Sequence, residues 1–405
     1  MQVGIIGAGF TGLSAAYYLS LKGHQVTVFE RDSGPGGLAT GFTDPLWDWT
    51  LEQHYHHWFE SDWHVRRLAL EIGHPVIFVR PKTSTWVKNS ITQLDSPQSL
   101  LTFPFLTIPD RLRTAAGLAM LKFNPIWQPL EHITAKQFII TIMGLKSWET
   151  LWAPLFEGKF AGFADQISAA WFWARIYKRS PSLGYPEGGF LSFATSLAQA
   201  AQQYGVKFVY NSAIDHVDQL LSQFDKVICT LPTPIFERIS GLSYPRLSGI
   251  GAVNLVLALK SPFLTDGSYW LNINDRTMPF LAVVEHTNFM PPSHYGGDHL
   301  VYVGNYLPPT HEFFKLSAKD LIDRFLPHLQ RINPKLSPKA IRKAWVFKAP
   351  FAQPIITLNY SRLIPKLTTA IPNLYLANIQ QVYPWDRGTN YAVELGKAVA
   401  DLCVS

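Results

Sequence analysis

The first thirty residues constrain the fold more than any other part of the chain. An apolar run at residues 3–6 leads into a glycine-rich turn, a helical pattern and a second apolar run at 26–29. The turn reads Gly7, Ala8, Gly9, Phe10, Thr11 and Gly12. Glycines at these spacings permit a tight turn, a close approach of the backbone to a pyrophosphate, and close packing of helix on strand. The stretch therefore predicts a strand, turn, helix and strand that bind a dinucleotide at the helix N-terminus.

An acidic residue, Glu30, ends the second apolar run. A carboxylate at this point, about 20 residues after the first glycine, can accept hydrogen bonds from ribose hydroxyls. It would also repel a 2′-phosphate, so NADP is disfavoured while FAD and NAD both remain open. We include the adjoining Arg31 among the candidate cofactor-binding residues.

Length and charge narrow the class of protein. A chain of 405 residues suggests two domains. Its net charge of +6, without a long basic run, makes nucleic acid an unexpected partner and favours anionic surfaces or substrates only weakly. Cys229 and Cys403 lie far apart and have no metal or redox spacing, which indicates reduced thiols in a cytoplasmic protein. No apolar run reaches the length of a membrane span, although peripheral association with a membrane stays open.

A second glycine turn follows, through Gly36, Gly37 and Leu38. An acid at the ribose position followed closely by a glycine pair resembles the flavin-containing amine oxidase superfamily, which includes protoporphyrinogen oxidases and phytoene desaturases. Leu38 departs from that pattern, because the family commonly has Arg there. The resemblance implies that FAD is the cofactor and that the glycine pair lies close to the flavin nucleotide.

The next segment, residues 44–59, is rich in aromatic rings and imidazoles. If it is extended, His54 and His56 share one face while Tyr55 and His57 share the other. The resemblance implies that this segment runs beside the flavin ring, so these four residues are candidate catalytic groups that donate to the flavin or move a proton. Histidines simply packed among aromatics are the alternative. We expect no metal site, because no second cluster of ligands accompanies them.

The middle of the chain is apolar and helical in pattern. Residues 109–123 predict an amphipathic helix that faces the core, docks on a membrane or covers an apolar substrate. A stretch rich in tryptophan follows, with basic residues interleaved. It contains Trp148, Trp152, Trp171, Trp173, Lys159, Arg175 and Lys178. Such aromatics suit a large apolar or amphipathic substrate or a domain interface.

Later segments are expected to return to the dinucleotide-binding domain. A Pro-x-Gly-Gly turn at 186–189 precedes a helix and strands at 206–210 and 226–230, as in the family. Further strands are predicted at 253–259, 280–284 and 300–306, and a turn at 348–354. A strand at 373–377 then leads through Asp386, Arg387, Gly388 and Thr389 into a last helix. The resemblance implies that this helix points its N-terminus at the flavin ring.

The predicted fold is α/β, with a Rossmann-like FAD-binding domain built on a parallel central sheet. It is assigned to residues 1–80, 184–244 and 345–405. A mixed α+β substrate domain, inserted in two pieces, is assigned to residues 81–183 and 245–344.

Three hypotheses for the function remain open. The first is an FAD-dependent oxidoreductase (oxidase, dehydrogenase or desaturase) that removes a hydride from a large apolar or amphipathic substrate and passes electrons to oxygen, a quinone or another acceptor. The second is a redox-neutral flavoenzyme resembling UDP-galactopyranose mutase, in which arginines converge on a diphosphate. Its candidates are Arg175, Arg246, Arg342 and Arg387. The third is a dinucleotide-binding protein without catalysis.

Overall fold

Strands and helices alternate in the N-terminal and C-terminal parts of the chain, and a helical segment lies between these two parts. The structure is a computed structural model that describes residues 1–245 and 247–404. Its strands are β1 Gln2–Ile6, β2 Gln25–Phe29, β3 Gly41–Phe42, β4 Leu51–Glu52, β5 Trp58–Phe59, β6 Val76–Val79, β7 Lys82–Val87, β8 Ser90–Gln93, β9 Leu183–Pro186, β10 Lys207–Val209, β11 Lys226–Cys229, β12 Gly249–Leu259, β13 Ser268–Ile273, β14 Ala282–Glu285, β15 His299–Leu307, β16 Ile341–Pro354 and β17 Leu374–Leu376. Its helices are α1 Phe10–Leu21, α2 Trp63–Glu71, α3 Pro97–Leu101, α4 Ile108–Phe123, α5 Ala135–Met143, α6 Leu145–Ser147, α7 Ala153–Phe160, α8 Ala169–Lys178, α9 Phe190–Gln203, α10 Asp218–Leu221, α11 Thr233–Ser240, α12 Ala318–Ile332 and α13 Thr389–Val404.

A parallel sheet in the order β10-β2-β1-β11-β17 contains both strands predicted within the first thirty residues, β1 and β2. β1 lies at its centre, where Ile6 pairs with Phe29 of β2 and with Cys229 of β11. The apolar side chains of β1 are buried on both faces, as expected for a parallel strand covered by helices. α1 packs against α9 and α13, so the last helix of the chain stands beside the first. The predicted α/β fold with a parallel sheet is confirmed.

A second, mixed sheet has seven strands in the order β16-β12-β15-β14-β13-β7-β8. The strands predicted at 253–259, 280–284 and 300–306 are present as β12, β14 and β15. The turn predicted at 348–354 is wrong, because these residues belong to the long strand β16. Pro350 and Pro354 suggested a turn, but β16 is an edge strand, where proline does not remove an internal ladder bond. A register irregularity between Ile250 and Ala252 accommodates the first of these prolines.

The helices α4 to α8 pack together and against one face of the mixed sheet. Trp148, Trp171 and Trp173 are buried in this layer with Ile250 of β12 and Ala349 of β16. Nowhere in residues 1–245 and 247–404 is a helix long and apolar enough to cross a membrane. The tryptophan-rich stretch thus builds a core that joins the helical layer to the second sheet.

The proposed domain boundaries can be placed on these sheets. The parallel sheet takes strands from residues 2–29, 207–229 and 374–376, which fall inside the three pieces assigned to the FAD-binding domain. β16 spans residues 341–354 and pairs with β12 along its length, so the boundary at 344–345 passes through this strand. The two sheets and the segments that connect them position the side chains of the candidate active site.

Candidate active site

The first glycine turn lies at the carboxyl end of β1 and opens the helix α1. Gly7 has a φ of +103°, and a Cβ on Gly12 would lie 1.9 Å from the carbonyl oxygen of Gly7. Within the described chain no side chain caps α1, whose N-cap is Gly9. The first N–H groups of the helix are thus left for a ligand, and they favour negative charge.

The second glycine turn packs directly onto the first. The N–H of Gly36 donates to the carbonyl of Ala8 at 2.9 Å, and Gly36 forms a β-bridge with Gly9. Gly36 has a φ of +120°, and a Cβ there would meet Thr40 Cα at 2.9 Å. The two turns form one surface of bare backbone, which a pyrophosphate can approach closely. Leu38 follows this surface with its side chain exposed.

The carboxylate of Glu30 is buried beside the two turns. Its Oε2 accepts from the Ala8 N–H at 2.7 Å and its Oε1 from the Asp32 N–H at 3.0 Å. A carboxylate oxygen can accept more than one hydrogen bond, so capacity remains for ribose hydroxyls. Arg31, in contrast, is exposed and lies 3.6 Å from Asp32 at the surface. Bare glycine backbone, open helix N–H groups and a buried acceptor together fit the ADP half of FAD.

A small cavity of about 30 Å³ adjoins the glycine surface. Residues from six separated parts of the chain line it: Leu38, His54, Tyr55, His56, Ala252, Asn254, Tyr306, Ala352 and Arg387. A larger surface groove of about 270 Å³ lies between α1, α2 and α9, but its lining contains none of the candidate site residues. The small cavity is therefore the place where the predicted catalytic segment, the second sheet and the C-terminal segment meet.

The histidine segment is irregular rather than extended. β4 pairs with β3 whereas β5 pairs with β9, so the chain between them must change direction. The predicted alternation of faces is wrong for this reason, since His54, Tyr55 and His56 all line the cavity. His54 Nδ1 lies 2.6 Å from Asn254 Nδ2, while His57 Nδ1 lies 3.2 Å from the Tyr269 hydroxyl. His57 is thus turned away from the other three.

Burial determines the charge of these imidazoles. It lowers the pKa of His54 to about 3 and that of His56 to about 4, with the nearby Arg387 acting in the same direction. Burial also lowers the pKa of His57 to about 3. At neutral pH the three rings are uncharged, so they offer hydrogen-bond donors and acceptors rather than positive charge.

The residues before α13 form a charged cluster next to the cavity. Asp386 accepts hydrogen bonds from Trp171 Nε1 at 2.9 Å and from Arg175, and Lys159 Nζ lies 3.9 Å away. Arg387 donates to Gln353 Oε1 at 2.8 Å and to the Tyr306 hydroxyl. Burial alone would raise the pKa of Asp386, but the surrounding cations hold it well below its usual range.

Gly388 and Thr389 bring the chain into α13. Thr389 is buried, and its Oγ1 accepts a hydrogen bond from Trp58 Nε1 at 2.7 Å. The described atoms leave open space around Gly388. The start of α13 is thereby fixed to β5, next to the histidine segment.

The arginines proposed to converge on a diphosphate are separated. Arg175 and Arg387 both lie beside Asp386, but Arg342 is bound to Asp298 and Asp44 in a different cluster. Arg246 lies outside the described residues.

Sequence reasoning missed the role of Glu52. Its carboxylate is fully buried and accepts from the Tyr185 hydroxyl at 2.9 Å and from the Phe190 N–H at 2.8 Å. Burial raises its pKa to about 7. A lone acid beside Leu51 in an aromatic segment was the available signal, but its partner Tyr185 is distant in sequence.

Comparison with known proteins places the chain in a family. A family model described as "Flavin containing amine oxidoreductase" matches residues 10–403. Coproporphyrinogen III oxidase of Staphylococcus aureus is 25% identical over 290 residues, which cover 58% of this chain and 61% of that protein. The chain aligns with less than two thirds of the length of the first curated relatives.

Solved structures show the same fold. An oxidoreductase from Methanosarcina mazei has a TM-score of 0.74 at 20% identity, and the match covers 98% of this chain and 99% of that one. Reduced UDP-galactopyranose mutase also has a TM-score of 0.74, at 17% identity, with coverage of 100% and 95%. These likenesses agree with the family match, which spans nearly the whole chain. The chain belongs to the flavin-containing amine oxidoreductases, a family of oxidoreductase enzymes, and its cofactor is FAD.

Proposed function

We propose that the protein is an FAD-dependent oxidoreductase that oxidises a large apolar or amphipathic substrate at the cavity beside the glycine surface. The observation that carries this proposal is the position of Leu38, which follows the Gly36-Gly37 turn and also lines the cavity. The cofactor surface and the cavity are therefore continuous. Bound FAD supplies a two-electron acceptor, and oxygen, a quinone or another acceptor would take the electrons onward.

The proposal gives the candidate residues distinct tasks. The nucleotide would be held by two glycine turns and the acidic residue between them. These residues are Gly7, Ala8, Gly9, Phe10, Thr11 and Gly12 of the first turn, Glu30 with Arg31, and Gly36, Gly37 and Leu38 of the second. Asp386, Arg387, Gly388 and Thr389 would hold the ring end, since α13 begins beside β5. His54, Tyr55 and His56 would position the substrate by neutral hydrogen bonds, while buried aromatics exclude water. His57 would act indirectly, because it faces Tyr269 rather than the cavity.

Anaerobic reduction of the bound flavin tests the proposal. Coproporphyrinogen III and phytoene are suitable donors, since the first is the substrate type named for a relative and the second represents a wholly apolar substrate. We expect one of them to bleach the oxidised flavin absorption band and admission of oxygen or a quinone to restore it. A His56→Ala variant that keeps its flavin should reduce it at least about tenfold more slowly. A flavin that neither donor reduces would contradict the proposed reaction.

A second candidate is a redox-neutral flavoenzyme, favoured by one observation. Arg175 and Arg387 both lie close enough to Asp386 to act on its charge, so they would meet a diphosphate bound beside it together. The test is to reduce the flavin with dithionite and add UDP-galactopyranose. Conversion to the furanose form without net reoxidation of the flavin would support this candidate, and its absence would remove it. A flavin inert in both experiments would leave the third hypothesis, binding without catalysis.

We also propose that α4 contacts an anionic membrane surface. Its outward face carries Ile108, Leu112 and Phe123, which are 68%, 57% and 81% exposed. Ala116 and Ala119 continue the same face at helical spacing, so it bears no charge. On either side of it Arg111, Arg113 and Lys122 donate to backbone carbonyls, which leaves their positive charges unneutralised. An exposed apolar face with a basic rim is the pattern of an interfacial helix.

Vesicle sedimentation tests this contact. Vesicles of phosphatidylglycerol and phosphatidylcholine should bind the native protein, because the apolar face buries and the rim meets anionic headgroups. A double variant, Leu112→Ser with Phe123→Ser, should lower the bound fraction about fivefold or more. The matched control is Leu70→Ser on α2, where an equally exposed leucine (79%) lies outside the proposed face. Equal loss in the control, or no binding by the native protein, would refute the contact.

A further inference from the structure

Two clusters of charged side chains in the described part of the chain differ in balance. In the first, Asp44 and Asp298 are matched by Arg342 and Lys343. In the second, Asp386 is the only carboxylate of the described residues in contact with Lys159 and Arg175, and Arg387 adjoins it. The second cluster thus carries an excess of two formal positive charges in a partly buried position, with the side chains of Lys159 and Arg175 14% and 36% exposed. Unbalanced buried charge is unfavourable unless a counter-charge joins it.

The single carboxylate of Asp386 does not balance this excess of positive charge, because its oxygens already accept other hydrogen bonds. Its Oδ1 accepts from Trp171 Nε1 at 2.9 Å and from Gln353 Nε2 at 3.3 Å, and its Oδ2 accepts from Arg175. Lys159 Nζ lies 3.9 Å from this carboxylate, which is beyond hydrogen-bond distance. Among the described residues we find no hydrogen-bond acceptor for this ammonium, although its side chain is only 14% exposed.

Aromatic rings surround the ammonium of Lys159 instead. Nζ lies 5.2 Å from the ring centroids of both Trp171 and Tyr306. On the Tyr306 ring it is joined by the guanidinium of Arg387, at 5.5 Å. Tyr306 and Arg387 also line the small cavity. Lys159 and Arg175 are therefore grouped next to Arg387, the member of the three that lines the proposed substrate site.

We propose that Lys159, together with Arg175 and Arg387, binds an oxyanionic group of the substrate, a carboxylate or a phosphate. The inference rests on the proposed function, and it makes the substrate amphipathic: an apolar body with at least one anionic end. The cluster would fix that end while the aromatic lining contacts the rest. Three charged donors can bind two or more oxygens at once, which defines orientation as well as affinity.

Protonation of Lys159 should be coupled to this binding. Burial lowers the pKa of Lys159 well below its usual value, and Arg175 and Arg387 act in the same direction, while Asp386 opposes them. An anion beside the ammonium favours its charged form. Affinity for the anion should therefore be highest at low pH and fall as pH rises through the lowered pKa.

Calorimetric titration of the FAD-saturated protein tests the site without requiring turnover. The probes are glutarate for a carboxylate and inorganic pyrophosphate for a phosphate, with the neutral glutaramide as the blank. We expect one or both anions to bind and glutaramide to give no heat. Lys159→Met should weaken binding about tenfold or more. Lys319→Met, which removes an exposed lysine on α12, is the control for general charge and should change nothing.

The Lys159→Arg variant distinguishes the effect of a positive charge at this position from an effect of the substitution on the structure. It should retain binding but lose the pH dependence, because a guanidinium stays protonated throughout the range. The preferred probe distinguishes a carboxylate from a phosphate substrate. Absence of binding by both anions, or equal binding by Lys159→Met, would overturn the inference. Either result leaves the flavin-reduction experiment unaffected, so failure of this site and failure of the proposed reaction can be told apart.

Discussion

At some positions the absence of a single atom, the Cβ, determines the shape of the surface formed by the glycine turns. The position of Gly12 has no room for a side chain, because its Cβ would lie 1.9 Å from the Gly7 carbonyl oxygen. Gly34, in the loop just before the second glycine turn, has no positive φ, and a methyl group added there would meet no described heavy atom within 4 Å. The two glycines therefore differ in what they tolerate, although both lie in or next to the glycine turns proposed to bind the nucleotide.

Alanine variants at these two positions should show whether FAD binding depends on the close packing at Gly12 or on glycine anywhere near the turns. Gly12→Ala should weaken FAD binding about tenfold or more, because the helix must move away from β1. Gly34→Ala should bind FAD normally. The flavin-to-protein absorbance ratio after gel filtration, followed by titration with FAD, measures both. Similar affinity in the two variants would argue against close packing at Gly12 as the requirement.

Glu52 is expected to make stability depend on pH. Its pKa is about 7 in the folded chain, above the ordinary value of 4.5, so the folded state holds a proton that the unfolded state releases. Its contribution is therefore full below pH 4.5 and lost as pH rises through about 7, a difference of roughly 3 kcal/mol. Denaturant unfolding of the native protein and of Glu52→Gln across this range measures it. The native curve should fall relative to the variant; parallel curves would show that Glu52 does not titrate in this way.

At the scale of elements, local patterns predicted strands and helices well where neighbours in sequence are neighbours in space. β1, α1 and β2 follow from the glycine spacing and the apolar runs. β16 did not, because its prolines suggest a turn unless the strand is known to lie at a sheet edge. The histidine segment failed for a similar reason: β4 and β5 join different sheets, and pairing partners are not encoded locally.

The balanced charge cluster connects β16 to the loop after β3. Arg342 Nε donates to Asp298 Oδ1 at 2.7 Å, and its Nη2 lies 3.4 Å from Asp44. Arg342→Met should lower the free energy of unfolding by about 3 kcal/mol, because the buried Asp298 loses its arginine partner and the buried Asp44 loses one of its two cations. Arg324→Met, which breaks an exposed pair with Glu312, should change it by less than about 1 kcal/mol. Chemical denaturation compares them, and equal effects would mean that burial of the pair is unimportant.

At the scale of the whole molecule, one core joins the two sheets. Val3 and Ile5 of β1 belong to the same buried cluster as Val256 of β12 and Tyr302 of β15. The strand, turn and helix proposed to hold the cofactor were predictable, since the motif is local. The cluster of Lys159, Arg175 and Asp386 instead joins residues from separate helices and the C-terminal segment. Only the fold brings such residues together, so a sequence pattern does not reveal their unbalanced charge.

A shared core predicts cooperative unfolding that depends on FAD. Tryptophan fluorescence, which reports the helical layer and the cores around both sheets, and flavin release should show the same thermal midpoint. At an FAD concentration 100 times its Kd, the stabilisation should be about 2.7 kcal/mol over the apoprotein. Two separate transitions would show that the sheets unfold independently.

The hydrogen bond from Gly36 to Ala8 has a consequence for the kinetics of flavin uptake. The bond joins the two turns through the polypeptide alone, so the surface proposed to bind the nucleotide is preorganised before a flavin arrives. Association then requires little loss of backbone entropy at this surface. We expect diffusion, rather than ordering of the glycine turns, to set the association rate.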